Sequence, residues 1–248
     1  MLFPDVIFFD AVGTLFGVRG SVGQIYGAIA RKYGVDANYE DLNQAFICNF
    51  KNSSKMAFPD IERSQISSQI YKCEYKWWQD IAKSTFIQVG AFSQFQDFEA
   101  YFQEMYNFFA TPDAWYIYED VIPVLNYLQA QGVTLGIISN FDHRLYPVLK
   151  NLQLDRFFAS ITISTQVGAA KPDLQIFHAA IAKHDPHQDF WHIGDSFKED
   201  YEGAKKAGIQ GIWIDRFSSS QTAYSTINSF KDLIAPDFLK LLSKSVIK

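Results

Sequence analysis

The 248-residue sequence contains only two cysteines, Cys48 and Cys73, and they do not form a CxxC arrangement. So few cysteines give no basis for a disulfide framework and fit a reducing compartment. No apolar run approaches the roughly 20 residues that a membrane-spanning helix needs. The opening MLFPDVIFFD also lacks the basic and long apolar segments of a secretory signal. We therefore expect a cytoplasmic protein that has no membrane partner.

Clusters of basic residues are also missing. The chain has 22 Lys and Arg against 27 Asp and Glu, a formal net charge of -5, and no Lys/Arg-rich run. A protein that binds a nucleic-acid backbone usually carries a basic patch, so nucleic acid is not an expected partner. Hydrophobic residues make up 48% and charged residues 20% of the sequence, which excludes wholesale disorder. The aromatic content of 17% predicts a well-filled core.

Short apolar runs bounded by polar or glycine-bearing loops predict the strands. The run at 6–9 is typical of a strand that is buried on both faces of a parallel sheet. Further strands are predicted at 133–138, 161–164, 190–193 and 209–214, with helices at 121–131, 144–152, 172–183 and 199–207. A polar loop at 218–225 and a last amphipathic stretch at 230–242 follow. Alternating strands and helices predict right-handed crossovers and a doubly wound parallel sheet.

The spacing of apolar residues changes between residues 21 and 116. Apolar residues recur there at helical spacing, as in Ile25, Ile29 and Tyr33. No strand is predicted in this stretch. We therefore predict an α/β fold with two parts: a core domain formed by residues 1–18 and 117–248, and a helical cap domain, residues 19–116, inserted after the first strand.

Candidate functional residues are those that follow the predicted strands, because open α/β sheets bind ligands at the carboxyl ends of their strands. They are Asp10 with Thr14, Ser139 with Asn140, Lys171, and Asp195 with Asp200. Taken singly, such an aspartate can cap a turn and such a lysine can be a solvated surface charge. Together they combine a carboxylate nucleophile, neutral hydrogen-bond donors, a cation and further carboxylates. This set suits transfer of an anionic group through a charged transition state.

The order and spacing of these residues resemble the haloacid dehalogenase-like (HAD) hydrolases over essentially all of the predicted core. The strings that carry the resemblance are FFDAVGTLF, GIISNFD, GAAKPD and HIGDSFKED. SNFDHRL and DAVGTL also resemble the subfamily that contains haloacid dehalogenase-like hydrolase domain-containing protein 3. The resemblance implies a Rossmann-like core with a helical cap and Asp10 as the nucleophile.

The resemblance also assigns roles to the remaining residues. It implies that Thr14, Ser139, Asn140 and Lys171 take part in catalysis, with Ser139 and Asn140 donating hydrogen bonds to the substrate anion. Mg²⁺, which prefers oxygen ligands, is the expected cofactor. Its predicted ligands are Asp10, the backbone carbonyl of Val12, Asp195 and Asp200.

Val12 departs from the pattern of the HAD phosphatases, which usually have a second aspartate two residues after the nucleophile. That aspartate acts as a general acid and base, and valine cannot transfer a proton. Loss of such help typically lowers the rate by ~10²–10⁴. We therefore expect either a slow phosphatase or a different reaction.

Three functions remain open at this stage. The leading hypothesis is Mg²⁺-dependent hydrolysis of a small phosphorylated metabolite. Dehalogenation of a 2-haloacid is the second, since a halide leaves without a proton; Asp195 and Asp200 would, however, place negative charge beside the substrate carboxylate. The third is a binding or regulatory protein with weak or no turnover. A small anionic molecule is the expected partner, and the aromatic-rich cap could contain a homodimer surface.

Three further polar residues have competing interpretations. His192, on a predicted strand, is expected to be a packed core residue and not a catalytic base. Asp142 and Arg144, in the string NFDHR, are equally compatible with substrate binding and with capping the next helix.

Overall fold

The computed structural model of the chain describes residues 3–61, 66–217 and 226–235. The predicted loop at 218–225 lies outside these ranges, as does the predicted amphipathic stretch beyond residue 235. The strands are β1 (Val6–Phe9), β2 (Phe16–Val18), β3 (Trp115–Ile117), β4 (Thr134–Ser139), β5 (Ser160–Ile163), β6 (Phe190–Gly194), β7 (Gln210–Ile214) and β8 (Thr226–Ile227). Six of them form one sheet in the order β5-β4-β1-β6-β7-β8, and every neighbouring pair is parallel.

The helices follow the predicted alternation with the strands. They are α1 (Val22–Lys32), α2 (Tyr39–Asn52), α3 (Ile66–Gln88), α4 (Phe98–Phe108), α5 (Val121–Ala130), α6 (Leu145–Asn151), α7 (Ser164–Val167), α8 (Leu174–Ile181), α9 (Gly203–Lys206) and α10 (Phe230–Leu233). Because helical segments join β4 to β5, β5 to β6 and β6 to β7, the chain is a doubly wound α/β fold with a parallel sheet, as predicted.

Side chains of the central strand β1 reach two separate cores, one on each face of the sheet. Ile7 and Phe9 belong to the larger core, whereas Val6 and Phe8 belong to the smaller one. Successive residues of a strand point to opposite faces, so a strand with a layer on each side needs a continuous apolar sequence. All four residues are fully buried, which explains the VIFF run.

Helices α1 to α4 pack against one another through aromatic side chains. Phe86 of α3 stacks on Tyr26 of α1, and its ring meets the edges of Phe95 and Tyr101. The helix starts are encoded locally: Ser21 forms a capping box with Gln24 at the start of α1. The whole of this bundle lies between β2 and β3 in the sequence. The division of the chain into core and cap domains at residues 18/19 and 116/117 stays a prediction.

A two-stranded antiparallel ribbon was not predicted. β2 and β3 pair with Phe16 opposite Ile117 and Val18 opposite Trp115. The prediction that residues 21–116 contain no strand is therefore wrong at Trp115. The pairing joins residues about one hundred positions apart, so its hydrogen-bond partners cannot be recognised from either short segment. The ribbon brings the beginning and the end of the helical segment together.

Two helices differ from the prediction, one in its first residue and the other in its helix type. Helix α8 starts at Leu174 and not at Pro172, because the side chain of Asp173 accepts a hydrogen bond from the backbone N–H of Gln175 and caps the helix. The predicted helix at 199–207 is a π-helical turn over Phe197–Glu202 followed by the short α9. Such turns are frequent at functional sites.

Within the described ranges, no helix combines the length and the apolar character that crossing a membrane would require.

The aromatic packing around Phe86 predicts a large effect of truncation. Phe86 is fully buried, whereas its neighbour Ile87 is 55% exposed. We expect Phe86→Ala to lower the free energy of unfolding by about 3–5 kcal/mol, because it removes buried area and leaves a cavity. Ile87→Ala is the matched control and should change it by less than about 0.5 kcal/mol. Urea denaturation followed by circular dichroism measures both; equal effects would contradict the described burial.

Candidate active site

The predicted site residues converge at the carboxyl edge of the sheet. Asp10 directly follows β1, Ser139 ends β4 and Asp195 directly follows β6. These three strands are adjacent and parallel, so their ends lie side by side. One carboxylate oxygen from each of Asp10, Asp195 and Asp200 lies within 4.8 Å of the other two. The sheet topology therefore collects residues that are far apart in the sequence.

Lys171 lies buried between two of these carboxylates. Its Nζ donates to Asp10 Oδ1 at 2.7 Å and to Asp200 Oδ1 at 2.6 Å. The third ammonium hydrogen is directed to the backbone oxygen of Ile138 at 2.9 Å. Burial on its own lowers the pKa of Lys171, but the two carboxylates outweigh burial and raise the pKa above its usual value. Lys171 is therefore a charged internal residue and not a solvated surface lysine.

Asp200 is held by a complete set of donors. Oδ1 accepts from Lys171 and from His192 Nε2 at 2.8 Å, and Oδ2 accepts from the backbone N–H of Ser196 at 2.9 Å. Burial alone raises the pKa of Asp200, but the charge of Lys171 and the hydrogen bond from His192 outweigh it and hold the pKa well below its usual range. Asp200 is thus ionised and only accepts, which fixes the proton of His192 on Nε2.

His192 is a fully buried strand residue, as predicted. Burial lowers the pKa of its imidazole, which keeps the ring neutral at neutral pH. Its ring edge packs against Phe177. It acts on the site only through Asp200.

Asp10 keeps one oxygen comparatively free. Oδ1 accepts from Lys171 and, at 3.3 Å, from Ser139 Oγ. Oδ2 has only the longer contact with Thr14 Oγ1 at 3.4 Å. Burial raises the pKa of Asp10, and the charge of Lys171 opposes that rise. The arrangement provides an oriented carboxylate with lone pairs available on Oδ2.

Two glycines allow the carboxylates to approach the backbone. Gly13 has a φ of +91°, and a Cβ added there would lie 2.4 Å from Asp195 Oδ2. A Cβ added at Gly194 would lie 2.1 Å from Asp200 Cγ. Neither position can carry a side chain without displacing an acidic group, which explains the glycines of the DxxGT and GD strings.

Asp195 is the most accessible of the three carboxylates. The protein packed around it, together with the negative charges of Asp10 and Asp200, raises its pKa to about 7. Its Oδ1 lies 3.5 Å from the hydroxyl of Thr14. A carboxylate in this electrostatic environment is stabilised by a nearby cation.

The carboxylate group fits a magnesium ion. Mg²⁺ takes hard oxygen ligands and typically uses one or two carboxylates together with water. Asp10 Oδ2 and Asp195 have lone pairs available, whereas Asp200 Oδ1 is filled by two donors. Asp10 and Asp195 therefore have the oxygens that would hold such an ion directly, with Asp200 beside them. The predicted ligation by the Val12 carbonyl stays a prediction.

Asn140 is hydrogen-bonded to the segment that carries Lys171 and to Glu199. Its Nδ2 donates to the backbone oxygen of Lys171 and to Glu199 Oε2, both at 3.1 Å, and its Oδ1 accepts from the backbone N–H of Lys171 at 2.7 Å. Both amide hydrogens are engaged inside the protein, and the predicted donation to the substrate stays a prediction. Asn140 positions the segment that carries Lys171.

Asp142 and Arg144 form a closed pair beside the site. Asp142 accepts from the backbone and guanidinium of Arg144 and from Trp78 Nε1 at 2.6 Å. The guanidinium also lies 3.8 Å from the centre of the Tyr106 ring. Trp78 and Tyr106 belong to α3 and α4, so this pair links the helical bundle to the loop after β4. Arg144 is itself the N-cap residue of α6 and makes no side-chain capping hydrogen bond. Its backbone N–H donates to Asp142 in the turn before the helix, so both interpretations stay predictions.

The carboxylates open into a cavity of about 350 Å³, which is within the size range of small-molecule sites. At its polar end it is lined by all the predicted site residues except Thr14, together with Ser196 and Glu199. Apart from Arg144, the remaining walls are apolar or aromatic. The bundle contributes Val22, Tyr26, Phe46, Phe50, Trp78 and Met105.

Comparison with known proteins agrees with this geometry. The profile of the haloacid dehalogenase-like hydrolases matches residues 4–208. The chain belongs to this family. Haloacid dehalogenase-like hydrolase domain-containing protein 3 of Bos taurus is 31% identical over 83% of this chain and 79% of its own length. The predicted resemblance to the family and to that subfamily is confirmed.

The solved structures that resemble this HAD-like hydrolase include both phosphatases and dehalogenases by description. A predicted phosphoglycolate phosphatase from Haemophilus somnus 129PT superposes with a TM-score of 0.65 at 18% identity, covering 94% of this chain and 97% of its own. A 2-haloacid dehalogenase from Pseudomonas syringae pv. tomato DC3000 gives 0.58 at 20% identity over 97% and 100%. At these identities the comparison establishes the shared fold and leaves the reaction open.

Some residues at the site were not predicted. Glu199 was not predicted, because its contact with Asn140 joins segments 59 positions apart. Trp78 and Phe141 were not predicted at the site. An aromatic residue at helical spacing, such as Trp78, is usually part of a core. The only available signal was the high aromatic content.

The buried position of Lys171 predicts a pH-dependent loss of stability when it is replaced. Lys171→Met leaves Asp10 and Asp200 buried without their cation, so we expect the free energy of unfolding to fall by about 3–5 kcal/mol at neutral pH. The charge of Lys171 acts to lower the pKa of both Asp10 and Asp200. Without it these carboxyls take up protons at a higher pH than in wild type, which relieves the burial of unpaired charge as the pH falls. The difference between variant and wild type should therefore shrink toward pH 4. Lys198→Met, at an exposed position, is the control and should show no such trend.

The raised pKa of Asp195 predicts how magnesium affinity varies with pH. Metal ligands must be deprotonated, and the pKa of Asp195 is about 7 without metal. The apparent dissociation constant for Mg²⁺ should therefore increase by about tenfold between pH 8 and pH 6. Isothermal titration calorimetry measures this, and Asp195→Asn should bind weakly and lose most of the pH dependence. A pH-independent affinity in wild type would exclude Asp195 as a ligand.

Proposed function

We propose that this HAD-like hydrolase removes the phosphoryl group from small phosphate monoesters, with Asp10 as the nucleophile and Mg²⁺ as the cofactor. The observation that supports this most is the charge balance of the site. Three carboxylates face one buried lysine, which leaves two uncompensated negative charges when all are ionised. A divalent cation would neutralise them and make the site able to receive an anion.

The proposed reaction proceeds through a covalent intermediate. An oxygen of Asp10 attacks phosphorus, the bond from phosphorus to the ester oxygen breaks, and the phosphoryl group is transferred to Asp10. Lys171 and Ser139 hold the carboxylate in place through its Oδ1. Water then attacks the phosphorus of the aspartyl phosphate, which releases phosphate, restores Asp10 and delivers a proton to the medium. Mg²⁺, when bound, supplies charge stabilisation to the phosphoryl oxygens.

Val12 determines which esters are turned over well. It lines the cavity next to Asp10 and has no proton to give. The departing oxygen must therefore leave as an anion or take its proton from water. Esters of acidic alcohols should react faster than esters of alkyl alcohols.

We further propose that residues 19–116 form a cap over the core formed by 1–18 and 117–248. Support comes from α1, α2, α3 and α4, which all contribute side chains to the cavity, and from the ribbon that joins the two ends of this segment. The expected partner is a small anionic substrate.

Dehalogenation of a 2-haloacid is the second candidate, and Val12 is the observation that favours it. A halide leaves without a proton, so the missing acid costs nothing there. The acidic group weighs against it, because Asp195 and Asp200 disfavour a carboxylate substrate when no metal is bound. Halide release from a short 2-haloacid in the presence of a chelator would support this reaction over the first.

The decisive variant for the phosphatase proposal is Val12→Asp. We expect it to raise kcat by ~10²-fold or more on alkyl phosphates and much less on para-nitrophenyl phosphate, whose leaving group needs no proton. Val12→Asn is the matched control, as it has nearly the same shape but cannot transfer a proton. Released phosphate is measured with and without Mg²⁺.

Asp10→Asn should remove turnover of every ester in the same assay. Full activity of Asp10→Asn, or equal rates of Val12→Asp and Val12→Asn on alkyl phosphates, would contradict the proposed roles.

A further inference from the structure

The apolar wall of the cavity indicates what the non-reacting part of the substrate looks like. Of the six cavity residues on α1–α4, five are hydrocarbon, thioether or indole side chains and the sixth is Tyr26. None is charged or carries an amide. The segment after the bundle adds Phe109 and Trp115 to the same space, and the loop after β4 adds Phe141. A sugar or an amino acid would leave its polar groups without partners against such walls, and that is costly.

The cations near the cavity are already paired. Arg144 is held by Asp142 at 2.6 Å and covered by the Tyr106 ring. Lys55 forms an ion pair with Glu199. Among the cavity-lining residues that the structure describes, Lys171 and Arg144 are the basic ones, and Lys171 is bound to carboxylates. The body of the substrate therefore meets no cation that could bind a second negative charge.

A second and independent feature is the lack of a proton donor at position 12. Without that help, an ester whose oxygen leaves readily as an anion has the advantage. A phenol is a far better leaving group than an alkyl alcohol, and a phenyl ring also fits an aromatic-lined cavity of about 350 Å³. Leaving-group chemistry and the cavity lining thus both favour a phosphate ester of a phenol.

We infer that the substrates are phosphate monoesters of apolar, uncharged phenols with one or two rings. The inference rests on the proposed phosphatase function and adds the class of substrate to it. The ring lies against the aromatic side chains of the bundle, while the phosphoryl group reaches Asp10. Charged groups on the ring are disfavoured.

The test compares esters that differ in one property at a time. 4-Ethylphenyl phosphate and O-phosphotyrosine share a ring and a similar leaving group, but only the second carries charges on its side chain. We expect kcat/KM to be at least about tenfold higher for the first, because its ethyl group and ring are buried without desolvating charge. 4-Ethylcyclohexyl phosphate, which has nearly the same bulk but an alkyl leaving group, should be slower still. Equal values for 4-ethylphenyl phosphate and O-phosphotyrosine would overturn the inference.

Acetyl phosphate separates this inference from the proposed function, since it has no ring and an excellent leaving group. Asp10-dependent hydrolysis of acetyl phosphate without any preference for apolar phenol esters would leave the function standing and reject the substrate class. If no phosphate is released from any compound, the function fails.

In that case binding still tests the cavity, because Trp78 and Trp115 line it and report through fluorescence. Benzylphosphonate should then bind at least about tenfold more tightly than 2-aminoethylphosphonate. Equal affinities would overturn the inference without any need for turnover.

A pair of variants on α2 assigns the preference to the cavity wall. Phe50 lines the cavity and is 44% exposed, whereas Ile47 on the same helix is 41% exposed and is not among the lining residues. Phe50→Lys should reduce the ratio of kcat/KM for 4-ethylphenyl phosphate over O-phosphotyrosine by about fivefold or more. Ile47→Lys should keep the wild-type ratio. An unchanged ratio in Phe50→Lys, or the same fall in both variants, would contradict the proposed ring position.

Discussion

A buried ammonium group holds the active edge of the sheet together. Lys171 Nζ contacts Asp10, Asp200 and the backbone of β4, so one side chain connects three segments of the chain. Without its charge, the two buried carboxylates would repel each other and Asp10 would tend to take up a proton. The orientation of Asp10, the proposed nucleophile, and the ionised state of Asp200 both depend on this contact. Asn140 in turn fixes the backbone of Lys171.

The surrounding residues follow from this constraint. His192 completes the donors of Asp200, and the glycines at 13 and 194 give the carboxylates room. Asp195 has no direct lysine contact among the described residues, is left with a raised pKa and therefore favours a cation. Beyond this charged end the cavity is mainly aromatic. In the proposed reaction the charged end carries out the chemistry and the aromatic walls bind the rest of the substrate. Val12 lines the same cavity and, in that proposal, limits how the leaving group departs.

Much of the fold was predictable because β1 and its neighbours are buried on both faces and have continuous apolar sequences. The positions of Asp10, Ser139 and Asp195 followed from a general property of open parallel sheets. Ligands bind at the edge that is formed by the carboxyl ends of the strands. Lys171 was predicted by its order in the motifs, although its burial was not. The two carboxylates that make burial tolerable are 161 and 29 residues away.

The features that could not be predicted depend on contacts across the fold. The β2–β3 ribbon, the pairing of Trp78 with Asp142 and the bonds of Asn140 each need a partner from another segment. Helical spacing shows that Phe46 and Met105 face inward, but not that they face a cavity instead of a solid core. Distinguishing these cases requires the relative position of the bundle and the sheet.

The most direct test is to look for the phosphoryl group on Asp10. Wild-type protein is mixed with Mg²⁺ and acetyl phosphate, quenched rapidly in acid, digested and mapped by mass spectrometry. The account predicts that the phosphoryl group is carried by Asp10, that it disappears when the reaction is chased with water before quenching, and that Asp10→Asn does not acquire it. A phosphoryl group on another residue, or steady phosphate release with no labelled peptide, would contradict the account.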